Sequence, residues 1–157
     1  MFVIPDCAIT LYFYEEKPAT AGNPATPPRF SYYCTNRARG WQVEPDGSIH
    51  PPSRSRIIQI GLSGFPADCG ASFAGLQFTS AEFSEESDPW PSAQALASLG
   101  VQVATPADSY PPANGTTAGP LRLTFDDAQR RLFYRLAVQD RNGLHWDDPK
   151  IYDDGSQ

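Results

Sequence analysis

Near the end of the chain, apolar side chains recur at every second position, and this period constrains the fold more than any other feature. Leu132, Tyr134, Leu136 and Val138 alternate with Phe133, Arg135, Ala137 and Gln139. A period of two is that of a pleated strand with one face buried. Upstream, Leu121, Leu123 and Phe125 alternate with Arg122 and Thr124 in the same way. Asp126-Asp127-Ala128-Gln129 separates the two runs with turn formers, so the pair is predicted to form a hairpin. Asn142-Gly143 is the strongest short turn signal in the chain, because both residues tolerate positive φ.

The register of the hairpin across Asn142-Gly143 has two solutions. A two-residue loop pairs Arg141 with Leu144 and Asp140 with His145, which puts Leu144 and Trp146 on the face of Arg135 and Gln139. A three-residue loop, Arg141-Asn142-Gly143 with Gly143 left-handed, pairs Val138 with Trp146. The second is preferred, because a slip of one residue moves the whole apolar set to the other face. Pro149 cannot donate to a ladder, so pairing is expected to stop or move to an edge there.

Earlier segments repeat the theme. Ile9, Leu11 and Phe13 alternate with Thr10, Tyr12 and Tyr14; both faces are apolar, which predicts a central strand covered on both sides or half-covered by a partner. Residues 15–28 form a loop rich in Pro, Ala, Thr and Gly, long for a compact domain. Further strands are expected over residues 29–35, 41–43, 56–62, around Leu76-Gln77-Phe78, and over 101–103. Residues 65–72 and 104–120 read as loops, and 82–91 as an acidic turn region. The helix candidate is Ser92 to Leu99, with Ser92 as its cap and Gly100 as its stop.

With 157 residues, 40% hydrophobic, the chain is long enough for one domain that buries roughly 70% of its unfolded surface. Sixteen prolines and twelve glycines between short apolar runs favour an all-β domain. The expected fold is a single-domain, two-sheet antiparallel sandwich over residues 1–157, immunoglobulin-like in broad architecture, with at most one short helix. A closed barrel is the alternative.

The formal charge is −6. That argues against nonspecific nucleic-acid or anionic-membrane binding, both of which need positive charge. No run approaches a membrane span in length. The first residues lack the basic and apolar regions of a signal peptide. Cys7, Cys34 and Cys69 have no metal-type spacing, and their odd number favours reduced thiols in a cytoplasm.

The densest carboxylate cluster is Asp147, Asp148, Asp153 and Asp154, with Asp140 near it across a hairpin. A hard cation such as Ca²⁺ takes six to eight oxygens, so the cluster is a candidate metal site, although its spacing is not that of an EF-hand loop. A solvated acidic tail is the plainer reading, and no resident cofactor is expected. His50 and His145 have no zinc-type spacing. His145 is drawn either into a nucleophile arrangement with Asp147 and Cys34 or Cys69, or as a strand residue near Asp140; the second is preferred. Gly61-Leu62-Ser63-Gly64 fails the nucleophile-elbow pattern because Phe stands at position 65. Among the aromatics, Trp90 lies between Asp88-Pro89 and Pro91, and with Trp146 it is a candidate ligand or partner contact. Arg37 and Arg39, with Arg54 and Arg56, flank two loops and are candidates for a small anion-binding patch.

The ending Trp146-Asp147-Asp148-Pro149-Lys150-Ile151-Tyr152-Asp153-Asp154-Gly155 resembles the last strand and tail of small bacterial β-sandwich proteins of the DP-EP family, with a similar ending in inclusion-body proteins of the PixA/AidA type. Asp148, Pro149, Ile151 and Asp153 carry the resemblance, which covers the last quarter of the chain. It implies a cytoplasmic bacterial β-sandwich and supplies no catalytic residues. The expected function is a non-catalytic binding or interaction module whose partner is a protein or another copy of itself. The alternatives are a carboxylate-based enzyme, a Ca²⁺-binding protein using the Asp cluster, and a sugar-binding module using loop aromatics.

Overall fold

The computed structural model describes residues 4–37, 40–50, 57–80, 83–84, 88–126 and 132–152. Eleven strands and one helix are ordered along these residues. The strands are β1 Cys7–Tyr14, β2 Arg29–Arg37, β3 Gln42–Val43, β4 Ile49–His50, β5 Ile57–Phe65, β6 Ser72–Thr79, β7 Val101–Ala104, β8 Leu121–Phe125, β9 Leu132–Asp140, β10 Gly143–Trp146 and β11 Lys150–Tyr152, and the helix α1 is Ala93–Ser98. The protein is all-β, as expected, with one short helix. The Ser92 hydroxyl accepts from the Ala95 N–H at 3.1 Å and caps α1, and Gly100 follows its end at a φ of +76°.

The strands form two sheets. The five-stranded sheet has the order β2-β1-β5-β8-β7, and the six-stranded sheet has β10-β9-β11-β4-β3 with β6 on the other side of β9. Apolar positions of both sheets meet in one buried cluster: Ile9, Leu11, Phe13, Ile58, Ile60, Leu121 and Leu123 from the first, and Phe73, Leu76, Tyr134, Leu136 and Val138 from the second. Phe78 of β6 packs edge-on against Phe125 of β8, and Phe13 of β1 stacks on His145 of β10. Trp41, just before β3, is also buried in this core.

Three expectations need correction. The sheets are mixed and not purely antiparallel: β1 runs parallel to β5, and β11 parallel to β4. Parallel neighbours need a crossover connection. Between β2 and β5 the chain visits the other sheet as β3 and β4, and so returns to β1 in the same direction.

The second correction concerns residues 121–138, which do not form a hairpin. β8 pairs with β5 and β7, whereas β9 pairs with β6, β10 and β11 in the opposite sheet. β8 and β9 therefore lie in different sheets. Each strand still buries its alternate face in the shared core, so the period of two was met without local pairing.

The third is the register of the β9–β10 hairpin, which matches neither proposed solution. Asp140 pairs with Gly143, Val138 with His145 and Ala137 with Trp146, so Arg141 and Asn142 form the tip. The Asp140 carboxylate fixes this turn by accepting from the Asn142 N–H at 2.9 Å. Leu144 and Trp146 therefore share the face of Arg135 and Gln139, as the rejected two-residue loop implied, and His145 faces the core. Trp146 fits that outer face because β6 offers Gly75 beneath it; a Cβ on Gly75 would lie 2.7 Å from the indole ring.

Between β1 and β2, residues 15–28 project as an exposed arm held by two small bridges, Lys17 to Thr26 and Thr20 to Asn23. At its base Glu15 is bound by the Arg141 guanidinium.

Candidate interaction face

The strand alternation that builds the core leaves a second face on the five-stranded sheet. Its outward positions are Ala8, Thr10, Tyr12 and Tyr14 on β1; Arg29, Ser31, Tyr33 and Thr35 on β2; alternate residues from Ile57 to Phe65 on β5; and Gln102, Ala104, Arg122 and Thr124 on β7 and β8. None of these residues is buried. None is acidic either, in a chain with 18 Asp and Glu. The two carboxylates flanking β1 are engaged elsewhere: Asp6 accepts from the Ile57 N–H at 2.8 Å, and Glu15 turns to Arg141.

Across this face runs a continuous row of rings. Phe65 lies between Tyr12 and Tyr14, stacked on both, with centroids 5.7 and 5.3 Å away. Tyr33 meets Tyr12 edge-on at 5.3 Å, and the Arg29 guanidinium sits 4.5 Å over Tyr14. Each aromatic pair is worth about 0.5–1.5 kcal/mol beyond area burial, so the row holds its shape at the surface. The register makes it: Tyr14 opposes both Arg29 and Phe65, and Tyr12 lies one pleat along. Tyr33 is 52% exposed and Phe65 40%.

The residues singled out from the sequence are placed as follows. Trp90 is half-buried; its indole N–H donates to the Gly115 carbonyl at 2.9 Å and its ring meets Tyr110 edge-on. Trp146 lies under the Arg135 guanidinium at 4.5 Å, on the outer face of the six-stranded sheet. Arg37 is exposed and donates to the Trp41 carbonyl at 2.9 Å. Arg39, Asp153 and Asp154 lie outside the described residues. Asp148 is exposed, whereas Asp147 is half-buried and occupied: it accepts from the Tyr32 hydroxyl at 2.6 Å and lies 3.7 Å from the Lys150 ammonium. Burial pushes the Asp147 carboxyl up, against the opposing pull of Tyr32 and Lys150. Among the described residues, no three His, Cys, Asp or Glu side chains gather as a metal site.

Tyr32 and Tyr134 are fully buried beside Asp147, and Tyr134 donates to the Gly47 carbonyl. Burial first, and then the neighbouring Asp147 charge, hold both phenols well above their ordinary range. Gly47 carries a φ of +96° and lies so close to Tyr32 that a Cβ would fall 2.8 Å from the ring.

His145 does meet Asp140, with Nε2 2.9 Å from Oδ1, as the preferred reading of that residue had it. The Asp140 side chain has no exposed surface. A hollow of about 390 Å³ beside it is walled by Asp68, Cys69, Thr116 and Arg141. Cys69 is 1% exposed and the Asp140 side chain has no exposed surface, so Asp68 is the described carboxylate that opens onto the hollow. A second hollow of about 400 Å³, by α1, contains Asp88 as its one described titratable side chain. Among the described residues lining them, no nucleophile is held by a base within reach of a bound molecule.

Fold and surface together define a β-sheet protein that carries an aromatic face with no acidic residue among its described outward strand positions. No family model matches the chain. No curated protein is similar to it. Among solved structures, an inclusion body protein (PixA) from Burkholderia cenocepacia aligns over 95% of both chains, at 9% identity and a TM-score of 0.39.

Proposed function

We propose that the protein is a non-catalytic interaction module, and that its partner is a second copy of itself, docked through the outer face of the five-stranded sheet. The carrying observation is that this face, with its row of Tyr12, Tyr14, Tyr33 and Phe65, has no acidic residue. Two chains of formal charge −6 repel each other. They approach at least cost through a surface that carries Arg29, Arg122 and neutral side chains only. Tyr and Arg are the residue types that dominate interface energetics. Five strands about 4.8 Å apart, the longest about 26 Å in length, give a face of roughly 600 Å². That approaches the roughly 800 Å² each partner contributes to a stable interface. The open edge of β2 is less available, since the Tyr32 N–H already donates to the Pro45 carbonyl at 3.0 Å.

The same reading takes the chain as one domain of sandwich type, immunoglobulin-like in broad architecture, supported by the single core that both sheets feed. A cytoplasmic setting is supported by three free cysteines.

The test is solution mass by light scattering on the reduced full chain, from micromolar to near-millimolar concentration. A dimer or larger species is expected, reverting to a folded monomer in the double variant Tyr33→Asp, Phe65→Asp, with wild-type far-UV circular dichroism and a thermal midpoint lowered by the lost ring pairs. A wild-type monomer throughout the range overturns the proposal, and so does a double variant of unchanged mass.

A further inference from the structure

Two of the three thiols stand together. Cys7 begins β1 and Cys34 lies on the adjacent antiparallel β2, with Sγ atoms 3.6 Å apart. Both point to the core side of the sheet. The ladder is irregular at this place: Ile9 pairs with Cys34 and Ala8 with Asn36, so β2 carries one extra residue, Thr35. The Thr35 hydroxyl donates to the Ala8 carbonyl at 3.1 Å and holds the bulge. The environments of the two thiols differ. Cys7 is completely buried, whereas Cys34 is half-exposed and touches the Asn36 carbonyl. Cys69, the third, is also buried.

We infer that Cys7 and Cys34 form a thiol–disulfide exchange site, closed by a low-molecular-weight disulfide of the glutathione class. Cys34 reaches the reagent first, because it alone of the three has solvent access. Its thiolate attacks one sulfur of the reagent, forming a mixed disulfide and expelling one thiolate, which takes up the Cys34 proton. Cys7 then attacks the Cys34 sulfur. The mixed disulfide breaks, and a second thiolate leaves with the Cys7 proton. Two protein thiols and one reagent disulfide become one protein disulfide and two reagent thiols; the protein loses two electrons and the reagent gains them. Burial, with the Cys34 thiol beside it, holds Cys7 in the protonated form, so it is not the group of first attack; its place 3.6 Å from Cys34 gives it the resolving role, in which it gives up its proton as it attacks. The bond fastens the outermost strand of the five-stranded sheet to its neighbour.

The test uses the full chain in buffers of graded oxidised-to-reduced glutathione, quenched with a maleimide and read by intact mass and peptide mapping. The expected product is a chain lighter by two hydrogens with no disulfide to a second chain, its Cys7 and Cys34 peptides joined and Cys69 unlinked. Excess dithiol should restore both thiols. Cys7→Ser should halt at the mixed disulfide on Cys34, and Cys34→Ser should remain unmodified; Cys7→Ala serves if a buried hydroxyl prevents folding. Three results would each overturn the inference: a stable mixed disulfide in the wild type, a bond involving Cys69, or no reaction at Cys34.

Discussion

The Asp140 carboxylate is the joint on which the β9–β10 hairpin turns, and removing it should be costly. Oδ1 accepts from the Asn142 N–H and from His145 Nε2, each at 2.9 Å. Oδ2 is buried with no hydrogen-bond partner. Hydrogen bonds to charged groups contribute about 1.5–3 kcal/mol each. Losing two of them suggests a gross cost of roughly 3–6 kcal/mol. Against this stands the relief of removing a half-satisfied buried carboxylate, worth about 1–3 kcal/mol. With both figures taken at mid-range, the net expectation for Asp140→Ala is a loss of about 2–3 kcal/mol, read as a lower urea midpoint at unchanged slope. For a chain of this length, that loss lowers Tm by roughly 4–12 °C. Asp140→Asn keeps a carbonyl oxygen for the turn and should cost less than half as much. If Asp140→Ala falls within about 0.5 kcal/mol of wild type, the carboxylate does not hold the hairpin and the argument fails.

Three further outcomes follow from close packing and burial. Gly47→Ala must place a Cβ at positive φ against the Tyr32 ring, and should destabilise by about 3 kcal/mol in chemical denaturation; a loss under about 1 kcal/mol would show that Tyr32 yields freely. Gly75→Ala would push on Trp146 and on Pro89, whose carbonyl oxygen lies 3.1 Å from the added carbon; a loss of about 1–3 kcal/mol is expected together with altered tryptophan fluorescence, and an unchanged spectrum would contradict the tight contact. Tyr32 and Tyr134 have folded-state values above the ordinary 10.0, so their burial stabilises the fold below about pH 10 and that contribution is lost as pH rises through the folded values. Tyr32→Phe and Tyr134→Phe should accordingly leave the tyrosinate absorbance gained between about pH 8 and 11 unchanged; a loss of one tyrosine's worth in either variant would count against its burial.

Strand positions were most legible where a strand buries alternate residues, as β1, β8 and the first halves of β5 and β9 do, because burial on one face writes itself into sequence at a period of two. α1 was legible through Ser92 and Gly100. Partnership was not. A turn-forming tetrad such as Asp126 to Gln129 is chemically the same whether the next strand folds back or crosses to another sheet. The parallel pairing of β1 with β5 has no local signal, because it depends on where β3 and β4 take the chain. At the β9–β10 turn, Gly143 drew attention to itself, yet the Asp140 carboxylate moved the tip to Arg141-Asn142. The aromatic row was half visible: Tyr12, Tyr14 and Tyr33 stood out, but Phe65 was assigned to a loop, and without it the tyrosines have nothing to stack upon. β11 was missed because Pro149 interrupts the pairing and Lys150 then resumes it on the same strand.

The arm between β1 and β2 has a practical consequence. Its two ends enter neighbouring strands at Tyr14 and Arg29, which already face each other in register. Its tip at Gly22 has open space around it. Chain inserted there adds loop-closure entropy that grows only as the logarithm of length, about 0.6 kcal/mol for each doubling. The tip is thus a natural port for grafting: a fluorophore, an epitope or a whole second domain can be carried at residues 21–23 while the core and the aromatic face stay as they are.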